Sequence, residues 1–445
     1  MTISTPFNTQ PETTGKYLVL LRENEVNAGI QALSDSAGVH GVARSADFEG
    51  NVLSAEQLEN AETLVFDNLG VAVVDLDPDQ LQSLSELKAD SSSVIEEIEP
   101  ERIVYALSDV GFGKLEQPIS SSSANVSVEY LQGYRDAVTN LVDNLIPTEQ
   151  GVKTLAVEAE ATATWGLQLT KVVNSRFSGR GIKVAVLDTG FDLTHPDFVG
   201  RKIISKSFVD HEEVQDKQGH GTHCIGTACG SLTPSILPRY GVAYDAEIYV
   251  GKVLSNQGSG SDTGILAGIT WAIANGCRII SMSLGARVEP GQAFSKVFEA
   301  VGGRALRNGT LIIAAAGNDS NNPRDFRKLY PVSHPANCPS IMAVAALDSQ
   351  LQVAYFSNRG LDSNGGNVDI AGPGVNVYSS WPMQKRYNTI SGTSMATPHV
   401  AGIAALYAEA NPNASAQALW NLLTQNARRL SLPSTDAGIG LVQAP

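Results

Sequence analysis

Five times between residues 182 and 346 the chain runs through a mostly apolar stretch of five to seven residues, with at most two charged side chains and no apolar/polar alternation: 182–187, 247–253, 278–282, 310–315 and 341–346. A strand without polar alternation has no face to offer to water, so its sheet must be covered on both sides. Helical spacing at 263–275 and 293–308 supplies such covers. The pattern predicts an α/β domain over residues 161–445, a parallel sheet with helices on both faces.

The front of the chain reads differently. Residues 1–16 form a polar tail. Residues 17–107 hold a strand at 17–22, a helix at 27–36, strands at 63–69 and 71–76 about a turn at Gly70, a helix over Pro78–Lys88 and a strand at 94–98. The order β-α-β-β-α-β predicts a small α+β, ferredoxin-like domain. Residues 108–160 begin as a serine-rich linker, and Tyr130, Leu131, Tyr134, Val138, Leu141, Val142 and Leu145 then fall at the spacing of one amphipathic helix.

Charge excludes some functions. The net charge is −15, which argues against nucleic acid as a partner. It is uneven: residues 1–107 hold 19 acidic and five basic side chains, whereas residues 161–445 hold 19 and 23. Opposite signs allow the front domain to be attracted to the rear one. No apolar run reaches the roughly 18 residues that a membrane helix needs. The polar start does not resemble a secretory signal, which by default points to the cytoplasm. The four cysteines, Cys224, Cys229, Cys277 and Cys338, form neither a disulfide framework nor a zinc-finger spacing and are expected to be free buried thiols.

Four short motifs carry chemistry. The 182–187 strand ends in Asp188-Thr189-Gly190, an acid where α/β sheets place their sites. Gly219-His220-Gly221-Thr222-His223-Cys224 opens a helix; metal binding is the rival reading, but the spacing and the missing glutamate differ from a zinc-binding helix pair. Ala315-Ala316-Gly317-Asn318 follows a strand. Ser391-Gly392-Thr393-Ser394-Met395-Ala396-Thr397-Pro398-His399 leads into an apolar helix over 400–410, with Pro398 suited to a first turn. Free N–H groups and the helix dipole beside Ser394 suit an oxyanion.

Taken in this order, acid, histidine, asparagine and serine, the motifs resemble the subtilisin family, or subtilases, over roughly 161–443. The resemblance implies a serine endopeptidase. Ser394 would be the nucleophile, His220 the base, Asp188 its orienting acid, and the Asn318 side chain with the Ser394 N–H the oxyanion donors. His223 and His399 match structural positions, and Cys224 resembles a cysteine behind the histidine in proteinase K-like members. Ser283-Leu284-Gly285 and Gly258-Ser259-Gly260 would sandwich an extended protein or peptide substrate. Ala315, Ala316 and Gly317 would wall a pocket for a large apolar side chain, facing Leu329, and Asp262 would lie over a more distant subsite. Broad specificity follows; a dedicated processing peptidase for one partner protein is the alternative.

The front domain resembles the family's inhibitory propeptides, which implies a zymogen that processes itself after Leu107. The chemistry requires no cofactor. A structural calcium is implied at Asp197, although the loop that would complete that site lacks the usual asparagine. An α/β-hydrolase esterase is excluded by the order of the acid and serine and by the lack of a G-x-S-x-G elbow.

Overall fold

The computed structural model describes residues 12–107, 162–320, 328–361 and 366–445. The amphipathic helix expected between 130 and 145 lies outside the described residues.

Residues 12–107 form one sheet with three helices. The elements are β1 (Thr13–Leu21), α1 (Val26–Ala37), β2 (Val42–Arg44), α2 (Ala55–Asn60), β3 (Thr63–Phe66), β4 (Val71–Val74), α3 (Pro78–Lys88) and β5 (Ile95–Ala106). The sheet order is β5-β1-β4-β3-β2, antiparallel except that β2 lies parallel to β3. The expected β-α-β-β-α-β order is present, with β2 and α2 inserted before β3. Helix α3 starts where the sequence places it: Asp77 accepts from the N–H groups of Asp79 and Gln80, Gln80 reaches back to Asp77, and Pro78 stands at the first helical position.

Both faces of this sheet are apolar. Val19, Leu21, Val65, Ala72 and Val74 pack with Leu33 and Leu84 of α1 and α3. Leu18, Leu20, Phe66, Val71 and Val73 face the other way and join the core of the second domain. A half-solvated antiparallel sheet would alternate apolar and polar residues. The apolar runs of residues 17–21 in β1 and of β4 show that this one has two covers.

The second domain carries a seven-stranded parallel sheet. After α4 (Trp165–Leu169), its elements are β6 (Lys183–Asp188), β7 (Ile203–Ser207), α5 (His220–Cys229), β8 (Glu247–Lys252), β9 (Ser259–Ser261), α6 (Asp262–Ala274), β10 (Ile279–Met282), β11 (Leu284–Gly285), α7 (Lys296–Arg307), β12 (Leu311–Ala315), β13 (Met342–Leu347), β14 (Ile370–Pro373), β15 (Val377–Ser380), β16 (Tyr387–Ile390), α8 (Thr393–Ala410), α9 (Ala416–Gln425) and α10 (Ser434–Ala437). The sheet order is β14-β13-β12-β10-β6-β8-β7, and β15 and β16 form a separate hairpin. Ile265, Leu266 and Ile269 of α6 and Val297, Phe298 and Val301 of α7 pack on one face. Cys224, Ile225 and Ala228 of α5 and Val400, Ile403 and Ala404 of α8 pack on the other.

The serine helix differs from the sequence expectation. It begins at Thr393 rather than Val400, so Pro398 lies inside it and not in a first turn. Pro398 has no N–H to give to the carbonyl of Ser394. That carbonyl accepts instead from the Ser283 hydroxyl at 2.8 Å, with the Cys224 thiol at 3.5 Å. Tertiary partners thus offset the loss that makes proline rare at such positions.

Strand β5 is the second departure. It runs to Ala106, well beyond the 94–98 stretch marked in the sequence. Its last residues, Ile103, Val104 and Tyr105, pair antiparallel with Ser261, Gly260 and Ser259 of β9, and Tyr105 and Ala106 pair with Gly285 and Leu284 of β11. The strand exists there because two edges of the second domain supply its hydrogen bonds.

Candidate active site

Asp188 ends β6, and the Asp188 and His220 side chains are completely buried. His220 opens α5, and its Nδ1 lies 2.7 Å from Asp188 Oδ1. Asp188 can only accept, so that nitrogen donates and the tautomer leaves Nε2 as the basic atom. Burial alone lowers the proton affinity of His220, but the charge of Asp188, aided by the Cys224 contact, outweighs it and holds the pKa well above 6.5.

Asp216, which sequence reasoning missed, secures this pair. It is buried, and its carboxylate accepts from the N–H groups of Gln218, Gly219 and Thr222 and from the hydroxyls of Thr222 and Thr189. It therefore ties the first turn of α5 to the residue after Asp188. The only signal for it was an acid four residues ahead of a helix start, which many loops share.

Ser394 and Asn318 meet on a third group. The Leu107 carbonyl oxygen accepts from Ser394 Oγ at 2.5 Å and from Asn318 Nδ2 at 2.6 Å. Asn318 Oδ1 accepts from the N–H and hydroxyl of Thr393, both at 2.9 Å, which turns the Nδ2 end toward Leu107. A Cβ on Gly392 would lie 2.8 Å from the Leu107 oxygen, so this position must stay bare. The Ser394 hydroxyl is also 3.1 Å from the Ser283 carbonyl. His220 Nε2 has no hydrogen-bond partner among the described residues. The hydroxyl is turned to the Leu107 carbonyl in place of the imidazole, while Cys224 Sγ, 3.9 Å from His220 Nδ1 and 3.5 Å from the Ser394 carbonyl oxygen, touches both partners.

Residues 283–285 and 258–260 flank the end of β5. The Leu107 N–H donates to the Ser283 carbonyl at 3.2 Å and the Ala106 N–H to Gly258 at 2.9 Å. With the β9 and β11 ladders, residues 103–107 lie as an extended peptide between two strands. Leu107 Cδ1 would touch a Cβ on Gly285 at 3.2 Å. Ala315, Ala316 and Gly317 are buried at the end of β12, whereas Leu329 is 42% exposed.

His223 and His399 are buried, which pushes them down to about 3 and about 4, and each meets a backbone carbonyl. All four cysteines are buried and unpaired. Burial raises the Cys224 thiol, so it does not compete as a nucleophile. Asp188, His220 and Cys224 come close enough to hold a cation, but the Asp188–His220 hydrogen bond already occupies the ligating nitrogen.

Asp197 does not fit a calcium ion. Its Oδ1 accepts from the Ser235 N–H at 2.7 Å, and Oδ2 accepts from the hydroxyls of Tyr240 at 2.6 Å and Tyr387 at 3.0 Å. Burial alone would raise this carboxyl, yet these hydrogen bonds keep it below the usual range. A calcium site surrounds the ion with oxygen lone pairs, whereas here hydrogens from three donors point at the carboxylate.

The arrangement supports the chemistry of a serine hydrolase acting on an extended peptide: a hydroxyl and an amide donor on one carbonyl, and a carboxylate–imidazole pair beside them. The chain belongs to the subtilase family, whose model matches residues 179–441. It is 39% identical over 304 residues to the thermostable alkaline protease of Halalkalibacterium halodurans, covering 66% of this chain and 77% of that one. It is 41% identical over 285 residues to Subtilisin Savinase of Lederbergia lenta, covering 63% and 96%. The solved structure of Sphericase matches with a TM-score of 0.55 at 34% identity, over 64% of this chain and all of that one. This protein is therefore a subtilisin-like serine endopeptidase that acts on protein substrates. No described helix is long and apolar enough to cross a membrane.

Proposed function

We propose that Asp188, His220 and Ser394 are the catalytic triad, that Asn318 is an oxyanion donor, and that residues 17–107 are an inhibitory prodomain removed by cleavage after Leu107. The carrying observation is the Leu107 carbonyl oxygen, held at 2.5 Å by Ser394 Oγ and at 2.6 Å by Asn318 Nδ2.

In the reaction His220 Nε2 takes the Ser394 proton as Oγ bonds to the substrate carbonyl carbon. The resulting oxyanion rests on Asn318 Nδ2. His220 then passes the proton to the departing amine, leaving an acyl-serine, and water repeats the sequence in reverse. Asp188 keeps the imidazole in the required tautomer and stabilises its charged form. Substrate is bound chiefly through its backbone by β9 and β11, which supports broad specificity. Leu107 beside Gly285 supports a large apolar side chain before the cut.

The test is mass spectrometry of the purified wild-type chain and of Ser394→Ala. The wild type should yield a new terminus at Ser108, and Ser394→Ala should stay whole. A fully active wild type that starts well before Ser108, or cleavage at Leu107 in Ser394→Ala, overturns the proposal.

A further inference from the structure

Strand β9 is only three residues long, because Ser261 caps α6 and the chain turns into helix at Asp262. Its backbone ladder with residues 103–105 therefore ends there. The next N–H of the tail on that side belongs to Arg102, and it does not go unpaired. It donates to Asp262 Oδ2 at 2.9 Å. The Asp262 carboxylate takes the place that a backbone carbonyl would occupy if β9 continued.

Asp262 is held for this task. Its other oxygen, Oδ1, is 2.9 Å from Nε2 of His334, and both side chains are 1% exposed. His334 packs edge-on against Phe298, ring centroids 4.6 Å apart, and its Nδ1 has no hydrogen-bond partner among the described residues. Its backbone exchanges two hydrogen bonds with Ala286, the residue after β11. His334 thus links both walls of the cleft: its main chain is fixed to one and its side chain to the acceptor on the other.

The alternation along the tail separates this contact from those made by the prodomain itself. The Ile103 N–H points away from β9 and donates to the carbonyl of Glu12. That partner departs with the prodomain. Asp262 and His334 remain with the peptidase.

The geometry points to Asp262 as a specificity-determining residue that binds the backbone N–H of the sixth substrate residue before the scissile bond, with His334 as its positioning residue. This rests on the reading that Leu107 occupies the first position before that bond. The substrate class is then a protein segment extended over at least six residues before the cut, with no proline or other N-substituted residue at the sixth. The carboxylate is fixed before substrate arrives, so little ordering is required on binding.

The experiment uses the processed enzyme and synthetic peptides that share residues one to six before the cut. One peptide is unmodified, one is N-methylated at residue six and one at residue five. A hydrogen bond to a charged acceptor predicts that methylation at residue six lowers kcat/KM at least about tenfold, while methylation at residue five costs about twofold or less. In Asp262→Ala the residue-six penalty should vanish, and in His334→Ala it should shrink. A role confined to folding would lower all three rates together and leave the ratio intact. Equal penalties at residues five and six in wild type overturn the proposal without any variant, as does a residue-six penalty undiminished in Asp262→Ala. Product analysis separates this failure from failure of the Leu107 assignment, which would appear as a terminus other than Ser108 in the processed enzyme.

Discussion

Two glutamates of the N-terminal domain end on the N-termini of two peptidase helices, and on the proposed prodomain reading their removal should loosen the inhibited complex by a calculable amount. Glu101 is buried; its Oε1 accepts from the Thr263 N–H at 2.9 Å in the first turn of α6, while Oε2 takes the Thr14 hydroxyl. Glu99 Oε1 accepts from the Lys296 N–H at 2.7 Å where α7 starts. Both helices also direct the positive end of their dipole at these carboxylates. A buried charge-assisted hydrogen bond with a favourable dipole contributes about 2 kcal/mol, and the partly exposed one about 1 kcal/mol. The two share no partner, so their effects should add to about 3 kcal/mol, or about 150-fold in affinity. The comparison is Glu23, whose ion pair with Arg307 is more than half exposed on both sides and is expected to contribute under about 1 kcal/mol. The assay is serial dilution of the processed complex, with initial peptidase rates reporting the fraction that has shed its prodomain. Glu101→Ala should shift the dissociation midpoint about 30-fold, Glu99→Ala about fivefold, and the pair about 150-fold. If the double variant dissociates like wild type, or if Glu23→Ala weakens the complex as much as Glu101→Ala does, helix capping is not what holds the domain and the reasoning fails.

As the proposed base, His220 must be neutral to act, and its pKa is raised, so activity should be absent at low pH and appear only as pH climbs through a value above 6.5; a pH profile of kcat/KM already at its plateau by pH 6 refutes this. Burial raises Asp369 to about 7, so the folded state holds a proton that the unfolded chain has lost between roughly pH 4 and 7, and stability falls as pH rises through that window. Asp369→Asn should therefore melt higher than wild type at pH 9, by up to about 4 kcal/mol in stability, and lose that advantage at pH 4; thermal melts at both values check the sign.

What could be read in the sequence, and what could not, divides by the range of the interaction that decides each element. Strands β6, β8, β10, β12 and β13 announce themselves because burial on both faces leaves a local mark, a largely apolar run without polar alternation. Helix α3 carries its own cap and first-turn proline, so its ends were legible to the residue. The four motif residues were legible through their order and neighbours, which the family resemblance supplies and spacing alone does not. The misses all depend on a distant partner. Ile103, Val104 and Tyr105 are strand formers by type, but Glu99-Pro100-Glu101-Arg102 before them are not, and β9 and β11 on either side are what carry the strand on to Ala106. Pro398 reads locally as a helix boundary, and the Ser283 hydroxyl and Cys224 thiol, both more than a hundred residues away, let the helix run through it. Asp216 looks like any loop acid until its carboxylate is seen to gather five donors around the start of α5. These three features cluster at the active site for one physical reason. A site that must hold another chain's backbone has to leave edges and carbonyls unpaired by its own local structure, and the partners that fill them here come from elsewhere in the fold.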